Sequence, residues 1–174
     1  MKDFKYTLRP YTAEDYEFVY NTKKVAYQKY VEVNWGEWND DKQREMFVGF
    51  IDAYGKDIKI VMEADKRIGF YHGEELENNG YEIGNICIIP ECQGRGIGTK
   101  ILKDVLDEHK HQDIYLRYFK QNPVVKLYER LGFVMCEEMP YHFKMVLKTK
   151  ENIFFTKHIT ADDTATTKEL SITI

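Results

Sequence analysis

Hydrophobic positions change their spacing several times along the chain, and each change predicts an element boundary. Tyr6-Thr7-Leu8-Arg9 is short and strand-like, closed by Pro10. Thr12-Ala13-Glu14-Asp15 predicts a helix start, because Thr12 can cap free N–H groups and two acids face the positive helix end. Phe18, Val19, Val25 and Tyr30 carry that helix until NWGEWNDD (34–41) breaks it. A second helix starts at Asp40 or Asp41, with Met46, Phe47, Phe50 and Ile51 at helical spacing. The pattern then switches to strands. Asp57–Ala64 and Arg67–Glu77 are hairpin partners around Asp65-Lys66. The turn Asn78-Asn79-Gly80 leads into Tyr81–Ile89, which Pro90 ends. Ile97, Ile101, Leu102, Val105 and Leu106 predict an amphipathic helix to about His109. Ile114–Phe119 is a strand, Pro123–Leu131 a helix ended by Gly132, and Phe133–Met139 and His142–Lys148 a closing pair of strands.

The predicted order is β-α-α-β-β-β-α-β-α-β-β: an α/β single domain over residues 1–148, one mixed sheet flanked by helices. From Thr149 the composition turns polar and Thr-rich, so 149–174 is a C-terminal extension. Its apolar islands, Ile153-Phe154-Phe155 and Leu170–Ile174, leave three fates open: added strands, exchange between subunits of a homodimer, or a loose tail.

Composition narrows the function classes. A chain of 174 residues has room for a sizeable core. The net charge of -4 and the lack of any Lys/Arg run argue against nucleic-acid binding. The start MKDFKYTLRP has no signal-peptide core, and no apolar run is long enough for a bilayer, so the expectation is a cytoplasmic protein without a membrane partner. Cys87, Cys92 and Cys136 lack metal-like or redox spacing and read as reduced thiols. The five His form no paired ligand pattern, so no metal is expected.

The candidate chemistry sits in CQGRGIGTK, residues 92–100. A glycine-rich turn from a strand into a helix presents backbone N–H groups and a positive helix end to an anion. The dinucleotide pattern GxGxxG fails, because Thr99 or Ile101 stands where its third glycine is needed. The P-loop pattern fails too, since Thr99 rather than Lys follows Gly98. What remains is Gln93-x-x-Gly96-x-Gly98 after a Pro-terminated strand.

That pattern resembles the acyl-CoA signature Q/R-x-x-G-x-G/A of the GNAT N-acetyltransferase superfamily. Asn122-Pro123 with Leu127-Tyr128-Glu129-Arg130-Leu131-Gly132-Phe133 resembles a second family segment, and the element order fits over roughly residues 4–148. The resemblance implies acetyl-CoA as co-substrate, a primary-amine acceptor (small molecule or peptide) and direct attack on the thioester. It puts the coenzyme pyrophosphate on the N–H groups of Gln93, Gly94, Arg95, Gly96, Ile97, Gly98 and Thr99, with Arg95 or Lys100 adding charge. It lays the pantetheine arm along Ile86, Cys87 and Ile88, and makes Asn122 a coenzyme contact or, equally, a helix N-cap. Tyr128 matches the family's general acid for the departing thiolate. Glu82 matches the base of one family branch. Arg117 stands where another branch carries its glutamate; a cation there cannot be a base but can bind a carboxylate, which leaves room for an amino-acid-like acceptor. Trp35 and Trp38, between the first two helices, are candidates for the acceptor wall through cation–π contacts, or simply pin the helix corner. Two other functions stay open: a non-catalytic acyl-CoA-binding regulator on the same fold, and a nucleotide-phosphate enzyme. An acyl-cysteine route through Cys87 or Cys92 is disfavoured because neither has a neighbouring His in sequence.

Overall fold

The computed structural model describes residues 5–149. Its elements follow the predicted order: β1 (Thr7–Pro10), α1 (Tyr16–Trp35), α2 (Asp40–Tyr54), β2 (Ile58–Glu63), β3 (Lys66–Glu75), β4 (Gly80–Ile88), α3 (Ile97–Glu108), β5 (Asp113–Phe119), α4 (Val125–Arg130), β6 (Val134–Glu138) and β7 (His142–Leu147). The extension from residue 150 onward lies outside the described residues, and with it the three fates weighed above.

The strands form one open sheet in the order β1-β2-β3-β4-β5-β7-β6. Every neighbouring pair is antiparallel except β4 and β5. That parallel pair follows from the chain between them, since α3 supplies the crossover a parallel connection needs. Pro10 lies inside β1 rather than after it. It is tolerated because β1 is an edge strand, where a missing N–H leaves no ladder bond broken.

Each face of the sheet carries a helix layer. On one face Val19, Tyr20 and Phe47 of α1 and α2 pack on Ile58, Ile60, Phe70 and Cys87. On the other Ile97, Ile101, Leu102 and Val105 of α3 pack on Ile68, Tyr81, Ile83, Ile114 and Leu116, with Tyr128 of α4 against the same core. The sharp apolar stripe of α3 is what seats its N-terminus beside the end of β4.

The entry to α1 differs from the sequence expectation. A short 3-10 turn at Ala13–Asp15 precedes the helix. Thr12 is its N-cap, in a capping box with Asp15: the Thr12 hydroxyl and N–H both donate to Asp15 Oδ2, at 3.1 and 3.0 Å. Asp15 is 1% exposed and is also bound by Arg9 at 2.7 Å and Arg67 at 3.1 Å. A buried carboxylate has to collect donors, and here it collects Thr12 as well.

One irregularity in β4 positions everything that follows. His72 pairs with Asn85 and Gly73 with Ile83, so Gly84 is an extra residue without a partner on β3, a β-bulge. Tyr81 and Ile83 face the α3 layer before it, and Ile86 and Ile88 face the same layer after it. Cys87 packs in the α1 layer, and the Asn85 amide donates to the Tyr27 hydroxyl of α1 at 2.7 Å.

Candidate active site

Pairing between β4 and β5 stops at Ile83 and Leu116. Both strands continue, β4 to Ile88 and β5 to Phe119, but they part. The split opens a cleft of about 470 Å³. Gly84, Ile86 and Cys87 line one side, and Arg117, Tyr118 and Phe119 the other. Tyr27 and Tyr30 of α1 close it on one face, Leu102 and Tyr128 on the other, and Gln93 and Asn122 also border it.

The backbone of β4 has free capacity here. Ile89 N–H donates back to Ile68 O at 2.9 Å. In an antiparallel ladder successive residues point their N–H groups to opposite sides. The N–H groups of Ile88 and Ile86 therefore face the split, and that of Cys87 faces β3. Of the three residues expected along the pantetheine arm, Ile86 and Ile88 offer backbone groups and Cys87 offers its side chain. Burial pushes the Cys87 thiol up to about 11, so it stays protonated at neutral pH.

Past β4, the turn at Pro90–Cys92 leads to the glycines. Gly94 and Gly96 have φ of +71° and +81°, and a Cβ on either would meet nothing within 4 Å. What demands glycine at these two positions is the left-handed backbone, not space. Lys100 N–H closes the first α3 bond, on Gly96 O at 2.9 Å. The N–H groups of Ile97, Gly98 and Thr99 precede that bond and have no carbonyl within the helix to donate to. Ile97, 2% exposed, anchors the turn in the core. The two cations expected at the phosphates already hold carboxylates: Arg95 pairs with Glu63, and Lys100 with Asp104 at 2.9 Å. The Gln93 amide donates to Ile88 O at 2.7 Å, tying the turn to the end of β4.

Tyr128 reaches the cleft from α4 and sits between Tyr118 and Phe133, each ring at 5.9 Å. Burial pushes its hydroxyl up to about 12. Asn122 does not cap α4, whose N-cap is Val124. Its Oδ1 accepts from Val124 N–H at 3.1 Å, which folds the turn that carries Asn122 to the cleft.

Glu82 and Arg117 meet on the α1 face of the sheet. Arg117 Nε and Nη2 both reach Glu82 Oε1, at 2.8 and 2.5 Å. Glu82 is 7% exposed and comes from the paired part of β4, just before the bulge. Arg117 lines the cleft, and Glu82, which does not, is reached through it. Neither tryptophan lines the cleft. Trp35 packs on Tyr141 at 4.5 Å and Phe119 at 6.2 Å. Trp38 packs in the α1–α2 core and donates from its indole N–H to Asp40 Oδ1 at 3.1 Å.

Three groups near the site were not singled out from the sequence. Tyr27 lines the cleft and is held by Asn85. Lys23 Nζ lies over the rings of Phe50 (4.4 Å) and Tyr27 (5.0 Å), and burial lowers its pKa. His72 is 3% exposed, and neither ring nitrogen has a hydrogen-bond partner among the described residues. The one available signal was Gly84, a glycine interrupting a strand pattern, which marks a bulge.

An open mixed sheet that splits beside a glycine turn at a helix N-terminus defines an α/β protein with helices on both faces of the sheet. The chain belongs to the GNAT acetyltransferase family: the acetyltransferase (GNAT) domain profile matches residues 45–135, just over half of it. Solved structures agree on the fold. The PH1933 protein of Pyrococcus horikoshii superposes with a TM-score of 0.65 at 18% identity, covering 84% of this chain and 99% of its own. An N-acetyltransferase from Staphylococcus aureus Mu50 gives 0.64 at 15% identity, covering 81% and 100%. The PaiA N-acetyltransferase of Thermoplasma acidophilum, solved in complex with coenzyme A, gives 0.62 at 17% identity, covering 83% and 99%. No curated protein sequence matches the chain. Among the described residues, no helix is long and apolar enough to cross a membrane.

Proposed function

We propose that this chain is an acetyl-CoA-dependent N-acetyltransferase that acetylates a primary amine in the cytoplasm by direct attack on the thioester. The observation that carries the proposal is the split between β4 and β5, with Tyr128 beside it and the glycine turn at its end. The N–H groups from Gln93 to Thr99 receive the coenzyme pyrophosphate, where the helix end adds positive charge. Ile86 and Ile88 pair with the pantetheine arm through their backbone. The N–H groups of this stretch that face the split reach the thioester oxygen and stabilise the charge that grows there during attack.

The acceptor must lose a proton before it attacks. Glu82 Oε2 takes it, directly or through water; no described residue donates to that oxygen, because Arg117 holds Oε1. The neutral amine adds to the thioester carbon. Collapse of the tetrahedral intermediate breaks the C–S bond; the nitrogen sheds its extra proton to water to give the acetylated amine, and the sulfur departs as a thiolate, to which Tyr128 donates a hydrogen bond.

The test is a screen of primary amines for acetyl-CoA-dependent thiol release, with mass detection of the product, alongside calorimetry with coenzyme A. Thiol release matched by product gaining one acetyl group is the expected result. A folded protein that shows no heat of binding with coenzyme A or acetyl-CoA at millimolar concentration overturns the proposal.

A further inference from the structure

The salt bridge between Glu82 and Arg117 is lopsided. Both guanidinium nitrogens in contact, Nε and Nη2, fall on Oε1. Arg117 thus spends one edge of its planar fork on Glu82. No described residue accepts from Nη1, so the other edge, Nη1 with the second hydrogen of Nη2, is unused. The burial of the partners is equally unequal: the Glu82 side chain is 9% exposed and that of Arg117 40%. A buried glutamate therefore fixes one edge of the fork, and Arg117 itself lines the cleft.

Charge along the cleft points the same way. Among the described residues, its ionisable lining groups besides cysteine and tyrosine are Arg117 and Lys29, both cations. The acids Glu82 and its cross-strand neighbour Glu74 are not among the lining residues, and Glu82 is in contact with Arg117. Coenzyme phosphates do not account for Arg117. It sits at the fork of the split, one residue beyond the last β4–β5 pair. The glycine turn begins past Ile89, roughly 16 Å further along extended strand.

We infer that the acceptor is an amino acid, whose carboxylate binds the outer Nη1–Nη2 edge of Arg117 while its amine lies on Glu82 Oε2. This rests on the proposed acetyltransferase function and names its substrate class. An arginine edge takes a carboxylate through two parallel hydrogen bonds, which fixes orientation as well as position. A carboxylate and an amine one carbon apart fit neighbouring partners of opposite charge. An amine without a carboxylate meets the cationic side of Arg117 first and gains nothing from it. Glu82 then serves twice, aiming the fork through Oε1 and receiving the amine through Oε2.

The test uses the intact protein and matched acceptor sets: L-phenylalanine, L-leucine and L-methionine, each against its carboxamide and its decarboxylated amine. The carboxamides carry the more easily deprotonated amine, so intrinsic reactivity favours them. The expected result is kcat/KM at least tenfold higher for each amino acid that reacts than for its two analogues. Arg117→Gln should bring the ratio near one by raising KM for the amino acid, and Arg117→Lys should restore only part of it. Coenzyme A affinity by calorimetry, unchanged in both variants, reports that they are folded. Carboxamides or plain amines that react as well as the amino acids overturn the inference and leave the acetyltransferase function standing. So does a protein that binds coenzyme A and acetylates none of the amino acids. Absence of coenzyme binding overturns the parent function instead.

Discussion

The His72 ring occupies the space that a side chain at Gly84 would need. A Cβ on Gly84 would lie 2.8 Å from His72 Cε1 and closer still to Nδ1. The bulge that reorients β4 at the cleft therefore depends on a glycine packed against an imidazole. Gly84→Ala should destabilise the fold by about 1–3 kcal/mol, the usual range for overpacking. His72→Ala in the same chain should recover much of that loss, because the clash has one named partner. A double-mutant cycle from urea unfolding measures the coupling. Additive effects would mean that the strain lies elsewhere in the bulge.

His72 also makes stability depend on pH. Its pKa is lowered to about 4, first by burial and then by the nearby Lys23 ammonium, against a small opposing pull from Asp57. The unfolded chain binds this proton near pH 6.5 and the folded chain near 4, so the unfolded state holds more protons in between. Stability is complete above about 6.5 and falls as pH drops toward 4, by at most about 3 kcal/mol. His72→Leu removes the titration and two unpartnered nitrogens, so its stability should stay flatter across that window. Chemical unfolding at pH 7, 5.5 and 4.5 reads the slope. Parallel slopes for parent and variant would assign the titration to another group.

A second acid-sensitive point lies at lower pH. Hydrogen bonds from Arg9 hold the Asp15 carboxyl well below the usual range, with help from Thr12 and Arg67. A depressed carboxyl stabilises the fold above its unfolded pKa of about 4, and the contribution drains away as pH falls below that. Asp15→Asn should cost about 2–4 kcal/mol at pH 7, since it leaves two arginines without their buried partner. The deficit relative to the parent should shrink toward pH 2–3. Denaturant midpoints for both proteins at pH 7 and 3 decide it; a constant gap would remove Asp15 from the acid limb.

Much of this architecture was legible because it is local. The stripe of Ile97, Ile101, Leu102 and Val105 predicts α3, and the glycines of 92–100 predict a turn leading into it; both stand. Details slipped where a side chain took one near neighbour rather than another, as Thr12 did with Asp15 and Asn122 did with Val124. The cleft itself was less legible. Glu82 and Arg117 are separated by 35 residues, and only the parallel register, with Glu82 opposite Tyr115, brings them to one face. Which way β4 turns its side chains past that point depends on the unpaired Gly84, and alternation counted along the sequence misses the extra residue. The tryptophans left two readings open, acceptor wall or helix corner, and Trp35 and Trp38 are found packed on their aromatic and core neighbours.

The role proposed for Tyr128 can be made quantitative. Its hydroxyl is pushed up to about 12 by burial, with neighbouring Cys87 and Tyr118 in support. An ordinary thiol has a pKa near ~8.5, so moving the phenolic proton fully to the departing thiolate is uphill by roughly 3 pK units, about 4–5 kcal/mol. Donation of a hydrogen bond without complete transfer avoids that cost and still stabilises the sulfur as charge develops. A hydrogen bond to a charged group contributes about 1.5–3 kcal/mol. Tyr128→Phe should therefore lower the single-turnover rate about tenfold to a hundredfold and leave coenzyme A affinity nearly unchanged, since the thiol form makes little demand on the donor. The loss should be constant from pH 6 to 9, because Tyr128 does not titrate in that range. An unchanged single-turnover rate would show that the thiolate leaves without help from this residue, and a loss confined to the alkaline side would point to full proton transfer from a less perturbed phenol.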